Sequence, residues 1–300
     1  MVTKDETPLL LIFPDYREPG IRLSKAAQLP YTIVKVHYFP DGESRIQLPQ
    51  SLPKQVILCQ TLDHPNKKLV ELMLTAETAR TLGATHITLV TPYLCYMRQD
   101  KAFHAGESIS QVIIGHFLKN YFETVITVDP HLHRVKTLQQ AVPVQQSIAL
   151  SATVPIAQYI NKHIPSAFII GPDEESEQWV ASIAKPQGFD YAVAHKQRSG
   201  DREVEVSLPE INLKNRDVLL IDDIASTGRT LISAAIKIAA CNPASISAIV
   251  THALFVDSVI IEMQAAGIKN IISTDSVLHE SNKIHLDQIL AEAIHNSNVD

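Results

Sequence analysis

The feature that most constrains this chain is a recurrent short run of Val, Ile and Leu, bounded by Pro, Asp or Gly. The runs are Leu9–Phe13, Val56–Cys59, Ile87–Val90, Val125–Val128, Ala167–Ile170, Val218–Ile221 and Ile246–Val250. None alternates apolar with polar, so each reads as a strand buried on both faces, as in a parallel sheet covered by helices. The intervening segments carry helical spacing. Lys68–Leu82 sets Leu69, Leu72, Met73, Ala76 and Ala79 on one stripe, and Thr230–Ala240 repeats the period with Ala and Ile. Strands alternating with helices predict an α/β fold with right-handed crossovers.

At ~150 residues per domain, 300 residues suggest about two domains. The chain divides near Val144–Ser151, which predicts an N-terminal domain over 1–146 and a C-terminal domain over 147–300. Ser147–Ile160 is expected to open the second as a helix. A hydrophobic fraction of 45% supports a sizeable core, and 19% charged residues argue against disorder. A net charge of −6 argues against a nucleic-acid or polybasic membrane binder. No run approaches the ~18 apolar residues of a membrane helix, and the start lacks a secretory pattern. The 3 cysteines form no C-x-x-C pair, and the 13 histidines form no H-E-x-x-H. The chain is therefore expected to be a cytoplasmic enzyme with no nucleic-acid or membrane partner.

The strongest chemical signal is Val218-Leu-Leu-Ile-Asp-Asp-Ile-Ala-Ser-Thr-Gly-Arg-Thr230. A buried strand ends in two acids, and a hydroxyl-rich turn then opens a helix. Ligands of open α/β sheets bind at the carboxyl ends of strands. A helix N-terminus offers free N–H groups and a favourable dipole to an anion. Ser226, Thr227 and Thr230 add hydroxyl donors, Gly228 permits close backbone approach, and Arg229 adds charge. A phosphate in this turn places a sugar ring toward Asp222 and Asp223, whose carboxylates accept from vicinal hydroxyls. The bland alternative is an ordinary helix start with two exposed acids. Neither a P-loop nor a dinucleotide fingerprint occurs.

Other clusters follow further strand ends. Thr91-Pro-Tyr-Leu-Cys-Tyr-Met-Arg-Gln-Asp-Lys101 pairs aromatic rings suited to a base with Arg98, Gln99 and Lys101 suited to phosphates. Asp129 and His131 in Val128-Asp-Pro-His-Leu-His133 are candidate neighbours of a hard metal, although a His-x-His alone is more often structural. Gly171-Pro-Asp-Glu-Glu-Ser176 offers carboxylates to Mg2+ or a sugar. Phe39-Pro-Asp-Gly-Glu43 reads as a tight turn. His195–Pro209 is crowded with both charges, as a solvated hairpin would be, or as a mobile flap that brings cations to a phosphorylated ligand.

Six motifs in order, F-x-D-G-E, Y-x-x-Y-x-R-Q-D, D-x-H, P-D, K-x-R and D-D-x-x-x-T-G-x-T, resemble the phosphoribosyl pyrophosphate synthetase family over about Phe39–Thr230. The resemblance implies two phosphoribosyltransferase-like domains and transfer of pyrophosphate from ATP to ribose 5-phosphate, with Mg2+ as cofactor. It implies that Phe39, Asp41, Gly42 and Glu43 meet the ATP base from a neighbouring subunit, in a dimer or higher homo-oligomer, and that Arg98 and Gln99 hold ATP. It further implies Mg2+ sites at His131 and Asp173 with Asp129 close by. Lys196 and Arg198 are then catalytic cations of the 195–209 flap. Asp222 and Asp223 meet the ribose, and Ser226, Thr227, Gly228, Arg229 and Thr230 hold the 5-phosphate, with Arg198 beside them. The chain departs from the family at Ser226, where an acid is usual, at Arg229, where Gly is usual, and at Pro172-Asp-Glu-Glu-Ser, where P-D-x-G-G is usual. It also carries K-Q-R for K-R-R and lacks Q-x-G-F-F after His131. These departures resemble the shorter archaeal-type members. The rival readings are a type I phosphoribosyltransferase, which would not need the Arg98 and Phe39 clusters, and a non-catalytic regulatory homologue, which would have no reason to keep Lys196, Arg198 and His131.

Overall fold

The computed structural model describes residues 7–199, 203–256 and 258–297; the side chains of 195–206 lie outside that description, as do residues 200–202 of the expected flap. Contacts divide the chain into two units, one running through Leu150 and resuming at Leu286, the other spanning Ser151–His285.

In the first unit the order is β1 (Leu9–Ile12), α1 (Arg17–Ala27), β2 (Tyr31–Ile33), β3 (Lys35–Tyr38), β4 (Ser44–Gln47), β5 (Gln55–Cys59) and α2 (Pro65–Thr81). It continues through β6 (His86–Val90), α3 (Ser110–Tyr121), β7 (Thr124–Val128), α4 (Leu138–Ala141) and β8 (Gln146–Leu150). Six strands form one parallel sheet in the order β2-β1-β5-β6-β7-β8, and β3 and β4 form a separate antiparallel ribbon. The unbroken apolar runs become the central strands. Val56, Leu58, Ile87, Leu89 and Val125 are buried among the apolar stripe of α2.

The second unit contains α5 (Thr153–His163), β9 (Phe168–Gly171), α6 (Glu177–Gln187), β10 (Tyr191–Val193), β11 (His195–Ser199) and β12 (Glu203–Ser207). There follow β13 (Asp217–Ala225), α7 (Arg229–Ala239), β14 (Ser245–Ala253), α8 (Val259–Ala265), β15 (Ile268–Thr274) and β16 (Asn282–Ile284). Its parallel sheet runs β10-β9-β13-β14-β15-β16, and β11–β12 is again a separate antiparallel ribbon. The strand order and the place of the ribbon repeat those of the first unit, a duplication that no repeated sequence motif displays.

The structure differs from the sequence reading at the domain boundary. Ser147–Leu150 is the end of edge strand β8, not the start of a helix, and α5 begins only at Thr153. The last helix, α9 (Asp287–Ser297), belongs to the first unit although the division at 146/147 places it in the second. Its buried stripe of Leu290, Ala291 and Ile294 packs against α1 and β8, and Arg22 Nε lies 3.9 Å from Asp287. An amphipathic stripe announces burial but not the sheet it covers. Among the described residues, no helix is long and apolar enough to cross a membrane.

Candidate active site

In the second unit the acids and the turn meet at the carboxyl end of the sheet. Strand β13 runs through Asp222 and Asp223 to Ala225, so both acids lie within the strand. Gly228, at φ +61°, is the residue before α7, and a Cβ there would stand 2.5 Å from Val259 Cγ2. Only glycine meets both demands. The first amides of α7 have no side-chain cap. They stay open to an anion, with Ser226, Thr227 and Thr230 beside them. The helix is held by Leu231, Ala234, Ala235 and Ile238, which are buried on one stripe.

Asp222 lies well above the ordinary carboxylate range because burial disfavours its charge, with Asp223 and then Asp173 adding repulsion. Its Oδ1 accepts from the Asp223 amide at 3.0 Å. Asp173 follows β9 and starts a short 3-10 turn over Glu174–Ser176, its Oδ1 accepting from the Ser176 amide at 3.3 Å. The Glu-Glu-Ser departure is thus a capped turn that leads into α6. Asp223 and Asp173 thus lie near enough to Asp222 for their charges to act on it. No cluster of three metal-ligating side chains is preformed among the described residues.

Lys196 and Arg198 occupy alternate positions of β11, opposite Val206 and Val204 of β12. Their segment is therefore one strand of an antiparallel ribbon.

In the first unit, Phe39–Glu43 closes the β3–β4 ribbon. The Phe39 amide donates to Glu43 O at 2.9 Å, the Glu43 amide donates to Asp41 Oδ1 at 3.2 Å, and Gly42 takes φ +94°. Two residues of α2 that the sequence reading missed hold this ribbon. Ser44 Oγ donates to Glu71 Oε1 at 2.9 Å, and Lys67 Nζ lies 3.5 Å from the centroid of the Tyr38 ring. The Lys67 ammonium is held above its ordinary range, chiefly by its hydrogen bond with Tyr38. An open depression of about 570 Å³ lies between ribbon and helix, lined by Asp41, Gly42, Glu43, Lys67, Val70 and Leu74 among others. Helical spacing of Lys67 and Glu71 could have flagged the pair, but nothing local says that the ribbon lies against them.

The loop after β6 sorts its residues by polarity. Leu94, Cys95 and Met97 enter the core, and Arg98 stays exposed. Burial pushes the Cys95 thiol up to about 12, which removes it from nucleophilic chemistry. Gln99 Oε1 accepts from Ser110 Oγ at 2.7 Å, and Arg134 grips buried Asp100 through both carboxylate oxygens at 2.9 and 3.1 Å. Arg134, also missed, follows β7 and ties that loop to the Arg98–Gln99 segment. In the same loop Asp129 is buried at φ +37°, and the His131 and His133 rings stack at 6.3 Å.

Both units are phosphoribosyltransferase-like, a six-stranded parallel sheet with a separate antiparallel ribbon, and the second adds the acidic strand end and the open helix-starting turn. Residues 17–121 match the N-terminal domain of ribose phosphate pyrophosphokinase, and residues 146–280 match the phosphoribosyl transferase domain. The ribose-phosphate pyrophosphokinase of Saccharolobus solfataricus is 35% identical over 85% of this chain and 88% of its own length. That of Methanopyrus kandleri is 30% identical over 92% and 95%. The phosphoribosylpyrophosphate synthetase of Mycobacterium smegmatis, 21% identical, superposes with a TM-score of 0.83 over 97% of this chain and 99% of its own, a likeness of fold. The chain belongs to the ribose-phosphate pyrophosphokinase family.

Proposed function

We propose that the protein is a ribose-phosphate diphosphokinase, which transfers the pyrophosphoryl group of ATP to the anomeric hydroxyl of ribose 5-phosphate. The carrying observation is the uncapped α7 start with Ser226–Thr230 beside the Asp222–Asp223 strand end, in a chain whose family match runs through both units. The 5-phosphate takes the open amides and hydroxyls, and Asp222 and Asp223 orient the ribose hydroxyls. The anomeric oxygen then attacks the β-phosphorus in line and releases its proton to solvent water. The bond from that phosphorus to the α–β bridging oxygen breaks, and AMP leaves with the oxygen.

Negative charge grows on the transferring oxygens, so fixed cations do most of the work. Lys196 and Arg198 supply it from the β11–β12 ribbon. Arg98 and Gln99 hold the ATP phosphates, the first from an exposed position and the second braced by Ser110. Asp173 of the second unit, and separately Asp129 and His131 of the first, are the residues that would hold Mg2+ ions, which would neutralise phosphate oxygens when bound. Phe39, Asp41, Gly42 and Glu43 meet the base of ATP bound to a neighbouring subunit of a homo-oligomer.

Mixing the protein with Mg2+, ATP and ribose 5-phosphate should yield AMP and phosphoribosyl pyrophosphate. ADP would mark an ordinary kinase instead, and no turnover by folded protein would favour the regulatory homologue.

Glu71 is a positioning residue on this reading, because it holds the ribbon whose turn meets ATP. A hydrogen bond to a buried carboxylate contributes on the order of 1.5 kcal/mol. Its loss in Glu71→Ala should raise the KM for ATP about tenfold. The KM for ribose 5-phosphate should stay put, and Glu71→Gln, which keeps an acceptor for Ser44, should recover part of the loss. Equal changes in both KM values would reduce Glu71 to a general structural residue.

A further inference from the structure

The matching strand orders allow the two sheets to be superposed residue by residue. Leu10 pairs with Tyr31 and Ile12 with Ile33 in the first unit; Ile169 pairs with Tyr191 and Gly171 with Val193 in the second. On that register Ile12 corresponds to Gly171. Across the sheet Ile12 pairs with Cys59, while Ile170 pairs with Leu220, which sets Gly171 opposite Ile221. Cys59 therefore corresponds to Ile221, and the next residue, Gln60, corresponds to Asp222. In each unit this is the crevice where connections leave the sheet in opposite directions, the usual ligand position of an open α/β sheet.

The two crevices have opposite electrostatics. In the second unit Asp222 faces Asp223 and Asp173, carboxylate against carboxylate. In the first, Gln60 Nε2 donates to Asp15 Oδ1 at 2.9 Å, so an amide stands where the acid would be. Buried Lys68 then extends its ammonium to Asp15 Oδ2 at 3.2 Å, Asp63 Oδ1 at 2.6 Å and the Thr61 carbonyl at 3.0 Å. The ammonium hydrogen-bonds to Asp63 and the Thr61 carbonyl and forms an ion pair with Asp15.

The phosphate turn is altered in the same sense. Asp222–Gly228 spans seven residues and Gln60–His64 only five. His64 takes the left-handed conformation of Gly228, and Pro65 begins α2 where Arg229 begins α7. Proline removes a free N–H from the helix start. One trace of the ligand position remains. Gln60 is fully buried, yet its Oε1 has no hydrogen-bond partner among the described residues.

We infer that the N-terminal unit holds a closed counterpart of the C-terminal sugar-phosphate and cation site, in which the Lys68 ammonium is the built-in cation. The inference rests on the reading of the C-terminal site given above. Its consequence is functional asymmetry. The sheet crevice of the C-terminal unit takes up a divalent cation, and that of the N-terminal unit is satisfied by its own side chain.

Restoring the acid and removing the ammonium should open the site. The full-length Gln60→Asp/Lys68→Ala variant should bind one more Mn2+ per chain than the parent, counted by calorimetry with the metal alone. The additional ion should persist when Asp173→Asn is added. A folded double variant with the parent's stoichiometry would overturn the inference. Should the variant fail to fold, the unaltered protein decides. The Lys68 ammonium should give a slowly exchanging 1H–15N signal that saturating Mg2+ leaves in place, and a signal displaced by Mg2+ would mean that the crevice takes metal after all. If Asp173→Asn alone leaves the parent's Mn2+ count unchanged, the C-terminal assignment fails, while the count on the double variant still judges the N-terminal crevice.

Discussion

Lys196→Ala should lower kcat by about 10³, equivalent to about 4 kcal/mol of transition-state stabilisation. The size follows from when the charge is needed. An ammonium that meets oxygens only as they gain charge during transfer adds little to ground-state binding, so kcat and kcat/KM should fall together and the substrate KM values should move little. The ribbon β11–β12 stands apart from both six-stranded sheets. Truncating one of its side chains should therefore leave the thermal midpoint near that of the parent. Steady-state kinetics with ATP and ribose 5-phosphate checks this directly. Unchanged turnover would return the ribbon to the status of a charged surface hairpin.

A second large effect is expected when two dead variants are combined. Phe39–Glu43 lies on a ribbon of the first unit, and the proposed reading sends it to a neighbouring subunit's ATP. Two-fold oligomers lend the same element in both directions. After dissociation and reassociation of an equal mixture of Glu43→Ala and Lys196→Ala, half of the dimers should be mixed. Each mixed dimer then has one site with both lesions and one with neither, so activity should return to about a quarter of the parent's. Proven subunit exchange without recovery would mean that each chain completes its ATP site alone.

The parts legible from the sequence share a physical cause, which is that they are local. Val218–Ile221 announces a buried strand by being apolar without interruption, and β13 contains it. Gly228 and its hydroxyl neighbours announce a helix-opening turn because backbone geometry there depends on adjacent residues, and α7 starts at Arg229. The tight turn at Phe39–Glu43 follows likewise from Asp41 and Gly42. The motif order pointed to the family for the same reason, since each motif is a short contiguous stretch.

What escaped the sequence reading depends on pairing between distant residues. Ser147–Leu150 has enough apolar character for either a helix or a strand, and hydrogen bonding to β7 settles it as β8. The stripe of α9 reports that one face is buried, but only the packing of Leu290 and Ile294 shows that it closes the first unit. Arg134 is an ordinary charged loop residue until folding brings it to Asp100. Lys68 is only the first residue of a helically spaced segment until folding brings Asp15 and Asp63 to it. The sequence alone determined the central apolar strands and the turns at Phe39–Glu43 and Ser226–Gly228, and hence the family's motif set. The tertiary structure decided which sheet each segment joins and which charges are neutralised inside it, because those outcomes arise from register and burial between residues far apart along the chain.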